Sequence, residues 1–136
     1  QLKKLRTNLN KRKEIFKKHK DFFARYPNYF IVPNEIKFSS TGWLAYPIVI
    51  NDKSKIKRKD MQIFLEKLNI QTRVIFTGNI LRQPGFKKIK RRTIKKRYDN
   101  ADYVMSNGIL IGCHQGMNNS MVNYIHNSIK KFIKNL

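Results

Sequence analysis

The chain has 136 residues, of which 40% are hydrophobic and 12% aromatic; that composition describes one globular domain with a modest core and argues against a disordered chain. Thirty Lys and Arg against eight Asp and Glu leave a formal charge of +22, which argues against a paired-carboxylate hydrolase and favours phosphate-bearing ligands. The single cysteine, Cys113, excludes an internal disulfide and a self-contained zinc or iron–sulfur site, so a reducing, cytoplasmic setting is the expectation.

Lys, Asn and Ile are enriched together, the pattern of A/T-rich coding, and most of the basic residues are Lys and not the Arg used to read base edges. The excess charge is therefore read first as a solvated face. No apolar run approaches the length of a bilayer crossing, and the N-terminus carries no signal-peptide pattern.

Residues 1–26 read as one long helix, because Leu2, Leu5, Leu9, Ile15, Phe16, Phe22 and Phe23 recur mostly at three- and four-residue steps. Pro27 disfavours helix at Tyr26 and ends it there. The periodicity is already running at Gln1 with no cap before it, so the expectation is a longer protein with further sequence upstream. His19, among lysines, reads as solvated.

After a connector at residues 27–41, residues 43–50 read as a strand in which Leu44, Tyr46, Ile48 and Ile50 alternate with Trp43, Ala45 and Val49. Pro47 within it favours an edge position or a bulge, and Trp43 reads as a core anchor more readily than as a stacking platform. A second helix starts near Arg58, with Met61, Phe64, Leu65 and Leu68 as its apolar stripe and Asp60 in its first turn, where a carboxylate suits the helix dipole.

Residues 70–86, I-Q-T-R-V-I-F-T-G-N-I-L-R-Q-P-G-F, form the stretch around which the chain is organised. Val74, Ile75 and Phe76 continue a β pattern, and Gly78-Asn79 and Pro84-Gly85 supply turns, which completes a strand–helix–strand unit. Arg73, Asn79, Arg82 and Gln83 lie along it. An arginine fork clasps a phosphate or carboxylate at two points, and an amide both donates to and accepts from a sugar hydroxyl. An ordinary strand and loop with solvated arginines accounts for the same residues equally well.

Residues 87–97 are the most basic run and hold no acid; a solvated excursion is favoured over a phosphate loop. Asp102 is placed to cap a short helix through Tyr103, Val104 and Met105, and residues 107–113 read as a last strand. Cys113 lacks the base and orienting group that a nucleophile needs. Asn118 or Asn119 caps a closing helix whose Met121, Val122, Ile125, Ile129, Phe132 and Ile133 point inward, with His126 off the stripe and solvated. Internal repeats, a Gly-rich phosphate loop, and H-E-x-x-H or C-x-x-C spacings are absent from the sequence.

Residues 71–86 resemble the C-terminal region of the DegT/StrS-type PLP-dependent sugar aminotransferases, and the T-G-N-I-L-R-Q-P form resembles their 3-dehydrase branch. Co-linear blocks agree with that resemblance: residues 1–5 with Arg12, G-W-L-A-Y-P-I from Gly42, and N-A-D from Asn100 through Ile111-Gly112. The α+β pattern read from the residues, about three strands packed against helices with a long N-terminal helix, agrees with the small C-terminal domain of a fold-type I PLP enzyme.

The resemblance implies that residues 1–136 form a single substrate-closing domain, with the large cofactor-binding domain upstream. PLP or PMP would be held mainly there, since no lysine or replacement histidine of this chain sits in a cofactor motif. It implies loss of the C3 hydroxyl from a nucleotide-linked 4-keto-6-deoxyhexose, or amino transfer in the sister branch, in lipopolysaccharide or deoxysugar synthesis. A homodimer in the full-length enzyme and a reductase partner also follow from it. The substrate contacts it implies are Arg73 for an anionic or carbonyl group, Asn79 and Gln83 for sugar hydroxyls, Arg82 for diphosphate, and His114 beside them. Two other readings stand beside it: a free-standing basic module for nucleic acid, supported by charge and aromatic content, and an inactive remnant.

Overall fold

The computed structural model describes residues 2–76, 78–94 and 97–136. Its first helix, α1 (Leu5–Phe23), follows a single 3-10 turn at Leu2–Lys4. Ile15, Phe16, His19, Phe22 and Phe23 are buried, spaced i, i+1, i+4, i+7 and i+8 along one helical face. The apolar stripe expected from Leu2 onward is buried only in its second half, since Leu2 and Leu5 are 85% and 50% exposed.

The structure corrects the reading of both helical histidines. His19 is completely buried, its ring 5.2 Å from that of Tyr46, because its place on the stripe outweighs its lysine neighbours in sequence. His126, on the last helix, stacks on Phe22 at a centroid distance of 4.0 Å. His19 Nε2 lies 3.0 Å from the carbonyl oxygen of Gly112, which only accepts, so Nε2 carries the hydrogen. His19 Nδ1 is then the acceptor for His126 Nε2–H at 3.0 Å. Both ring nitrogens of His19 are thereby engaged, which leaves His19 no site for a further proton unless the bond from His126 is broken.

Among the described residues, the strands form one four-stranded sheet in the order β1-β2-β4-β3, with each neighbouring pair antiparallel. These are β1 (Phe30–Ile31), β2 (Ala45–Ile50), β3 (Arg73–Val74) and β4 (Gly108–Gly112). β1 is the strand missing from the expected three; two residues are too few to show a period. β2 begins at Ala45 and not at Trp43, whose φ of +26° breaks the extended chain. Trp43 is a core anchor, its ring stacked on Phe16 at 3.8 Å. β2 is an interior strand and not an edge, yet Pro47 lies beyond the two residues that β1 pairs, so its β1 side is open there.

One face of the sheet carries Tyr46, Ile48 and Ile50 of β2, opposite Ile111 and Ile109 of β4, and all five are buried. This face meets α1, α2 (Arg58–Lys67) through Met61 and Leu65, and α4 (Asn119–Lys134) through Val122, Ile125 and Ile129. Asn118 caps α4 as expected, its side chain accepting from Met121 N–H at 2.9 Å; Met121 itself is half-exposed and not packed inward. The remaining helix, α3 (Asp99–Asn107), leads directly into β4, and its Tyr103 hydroxyl donates to the Ile50 carbonyl at 3.1 Å.

Tyr46 is fully buried, and its hydroxyl has no hydrogen-bond partner among the described residues. Tyr46→Phe is therefore expected to leave thermal stability unchanged or raise it by up to about 1 kcal/mol, read from a melting curve. Burial, against the opposing Gly112 bond, holds His19 down to about 4; burial, with the charges of Lys130 and Arg25 and the facing His19, does the same to His126. The unfolded chain takes up these protons near pH 6.5 and the folded chain only near pH 4. Stability is expected to fall with acid across that window, by on the order of 1 kcal/mol per pH unit for His19 and by less for the partly exposed His126, where solvent screens the effect, and His126→Gln should flatten the slope.

Candidate functional site

The approach to Arg73 is set by the end of α2. Asn69 takes a left-handed φ of +56°, Ile70 N–H reaches back to the Leu65 carbonyl at 3.0 Å, and Asn69 N–H reaches the Glu66 carbonyl at 3.0 Å. The Glu66 carboxylate accepts from the Thr72 amide at 2.6 Å and from its hydroxyl at 2.9 Å, which pulls the carboxyl below its ordinary range. Arg73 follows at once in β3, opposite Leu110.

The strand expected to run through Phe76 stops at Val74. Phe76 sits at φ +42° with its ring 85% exposed, and Gly78 N–H closes a turn on the Ile75 carbonyl at 3.1 Å. Gly78 has φ +60°, and a Cβ there would stand 2.3 Å from Met105 Cβ of α3. Glycine lets the turn lie against that helix. Thr77 lies outside the described residues.

The turn places Asn79 and Arg82 on one carboxylate. The Asn79 side-chain oxygen accepts from Leu81 N–H at 3.0 Å, opening a 3-10 turn (Ile80–Arg82), while its amide nitrogen donates to Asp102 Oδ1 at 2.7 Å. Arg82 grips the same carboxylate side-on, Nε to Oδ1 at 3.0 Å and Nη2 to Oδ2 at 2.7 Å. Arg82 and then Asn79 hold the Asp102 carboxyl down to about 2. Gln83 stands beside them, its amide nitrogen 4.0 Å from Met105 Sδ. Asp102 is not the helix cap that the sequence implies: it sits in the first turn of α3, its own N–H bonded to the Tyr98 carbonyl, and its carboxylate braces the loop. Its signal in the sequence is that it is one of only eight acids, inside the N-A-D block.

Arg73 and His114 lie elsewhere, on a groove of about 620 Å³ between β3, β4 and the start of α4. Leu110, Met117, Met121, Tyr124 and Ile125 give it an apolar wall. His114 Nδ1 accepts from Gly116 N–H at 3.2 Å, so in the neutral ring Nε2 carries the hydrogen and serves as a donor. Arg12 Nε bonds Gln115 at 2.8 Å and fixes the loop to α1. The Tyr124 hydroxyl donates to the Leu68 carbonyl at 3.1 Å and ties α4 to the end of α2. Cys113 is buried with its thiol pushed up to about 11, in keeping with its reading as no nucleophile. The five residues singled out by sequence thus fall into two groups, Arg73 with His114 on the groove and Asn79 with Arg82 and Gln83 against α3.

Residues 1–130 match the sequence profile of the DegT/DnrJ/EryC1/StrS aminotransferase family. The chain belongs to that family. It is 26% identical over 132 residues to the lipopolysaccharide biosynthesis protein RfbH of Salmonella typhimurium, covering 97% of this chain and 30% of that protein. It is 33% identical over 115 residues to the GDP-4-keto-6-deoxy-D-mannose 3-dehydratase of Escherichia coli O55:H7, covering 85% of this chain and 29% of that one. Among solved structures, a GDP-4-keto-6-deoxymannose-3-dehydratase with a trapped PLP–glutamate geminal diamine superposes with a TM-score of 0.84 at 28% identity, over 93% of this chain and 32% of that one. The chain spans about a third of the length of these DegT-family relatives.

The residues described here do not by themselves fit the cofactor of those relatives. The groove is lined by no lysine that would carry it and no carboxylate that would pair its ring nitrogen, and no lysine among the described residues is buried. Among the described residues, no group of His, Cys, Asp or Glu is placed to hold a metal ion, and no helix is long and apolar enough to cross a membrane. Gly78→Ala is expected to cost more than about 1 kcal/mol, because it joins a left-handed φ to a clash with α3; a melting curve measures it.

Proposed function

We propose that residues 1–136 are the C-terminal, substrate-closing domain of a PLP- or PMP-dependent enzyme that acts on a nucleotide-linked 4-keto-6-deoxyhexose, in lipopolysaccharide or deoxysugar synthesis. The reaction proposed is loss of the C3 hydroxyl, with amino transfer as the sister chemistry. The observation that carries this reading is the match to sugar 3-dehydratases along nearly the whole chain, in order and at the same fold. The cofactor belongs to the remaining two thirds of such a protein, and no step through it is assigned to these residues. A homodimer and a reductase partner belong to the same proposal.

Within it, Arg73 supplies a cation on the lining of an apolar groove, suited to a substrate carbonyl or anionic oxygen. His114 Nε2–H is a second donor on the same groove. Arg82 addresses the diphosphate and Gln83 a sugar hydroxyl. Asn79 addresses a hydroxyl with the one amide hydrogen outside its bond to Asp102. A nucleic-acid role has less support, because Phe16, Phe22, Phe23, Phe30 and Tyr46 pack in the core, and the exposed rings of Phe38, Phe76 and Tyr124 lie outside the basic run at residues 87–97 and are not interleaved with it.

In the full-length enzyme, Arg73→Ala is expected to lower kcat/KM for the nucleotide sugar by about tenfold to a hundredfold, the range for one charge-assisted bond. Turnover equal to the wild type would overturn the assignment of Arg73.

A further inference from the structure

Within the basic run at residues 87–97, Arg91 and Arg97 lie beside the Asn79–Arg82 turn. Arg91 Nη1 donates to the carbonyl oxygens of Phe86 at 2.7 Å and Lys87 at 3.1 Å, which curls the run onto its own beginning. Asn79, Arg82, Arg91, Thr93, Arg97 and Tyr98 then enclose a pocket of about 240 Å³. Arg82 is spoken for by Asp102, and Arg97 by Asp99 at 2.9 Å. The partners of Arg91 are neutral carbonyls, so its charge is not cancelled, and three guanidiniums face two carboxylates around the pocket. The clamp on Arg82 uses Nε and Nη2; Nη1 takes no part in it.

We propose that this pocket is a seat for a phosphate or diphosphate group, that Arg91 supplies its uncancelled charge, and that Asp102 is the positioning residue that fixes Arg82 and Asn79 in its wall. The proposal rests on the nucleotide-linked substrate argued above and extends it to Arg91, Thr93 and Arg97, within the run at residues 87–97 that the sequence pattern reads as a solvated excursion. Guanidiniums and a threonine hydroxyl offer the planar and single donors that phosphate oxygens accept. An arginine held side-on by a carboxylate keeps its direction, so little rotamer freedom is lost when an anion arrives.

The role given to Asp102 has an unusual sign. By Coulomb's law alone, removing a carboxylate beside an anion site strengthens anion binding. If Asp102 holds Arg82 in place, removing its charge weakens binding instead.

The test is calorimetric titration of the 136-residue chain with GDP and with inorganic diphosphate. Salt is held at about 0.15 M so that the diffuse +22 field is screened beyond about 8 Å. Both ligands are expected to bind. R91Q and D102N should each weaken binding about tenfold, while K55Q, which removes an exposed lysine away from the pocket, should change it less than about twofold. The proposal is overturned if D102N binds as tightly as the wild type or tighter at an unchanged melting temperature, if K55Q costs as much as R91Q, or if neither ligand binds. Should D102N melt early, R82Q takes its place, and wild-type affinity in that variant also overturns the proposal. Inorganic diphosphate bound with this mutational pattern, while GDP is refused, supports the anion seat and counts against the nucleotide-linked substrate.

Discussion

Two neutral imidazoles hold the terminal helices and the end of the last strand together. The Gly112 carbonyl accepts from His19, and His19 in turn accepts from His126, so α1, α4 and β4 meet in one chain of hydrogen bonds. Gly112 is the last residue of β4 before the His114 loop, and the same loop is tied to α1 through Arg12 and Gln115 and through the Cys113 thiol, 3.5 Å from the Arg12 carbonyl. One wall of the Arg73–His114 groove is thereby fastened to the helix on the far side of the core. Buried polar networks of this kind are stiff when every member is satisfied, because the alternative is an unpaired group in a low dielectric.

What the sequence made legible was periodic or punctuated. The buried half of α1, the Met61–Leu65 face of α2, the Ile109–Ile111 strand and the Asn118 cap follow from spacing and turn chemistry. The candidate contacts at Arg73 and His114 lie on one groove, although residues 74–113 separate them in the chain. What stayed hidden was decided by tertiary neighbours. β1 is two residues long and exists because β2 lends it a partner. His19 looks solvated beside its lysines until its helical phase is weighed against them, and Asp102 looks like a cap until the Gly78 turn brings two side chains onto it. Asn79 shows the same limit from the other side, since the pattern marks it as a turn residue with an amide suited to a ligand, and the fold buries it and engages that amide with Leu81 and Asp102.

The acids of this chain are few and most have a local partner. Glu14 and Asp21 pair with lysines one helical turn away, Glu66 anchors Thr72, Glu35 accepts from the Trp43 indole, Asp99 pairs with Arg97, and Asp102 takes Arg82. Exposed pairs such as those on α1 add little to stability. Their placement does mean that carboxylates sit where a helix, a turn or a loop bonds them, while the lysines remain largely uncancelled. The resulting field draws anions toward the whole surface, and selectivity among them falls to places where guanidiniums are held in a fixed direction.

β4 lies between β2 and β3 although it comes after both in the chain, and those two strands run parallel without touching. A polypeptide emerging from its N-terminus therefore presents the two outer members of this arrangement first, each with an unpaired edge facing an empty slot. The slot closes when residues 108–112 arrive, and α1 gains its imidazole partner only with the last helix. Most of the ordering is thus deferred to the final thirty or so residues, and until they are made the growing chain carries two open strand edges of the sort that other chains can pair with.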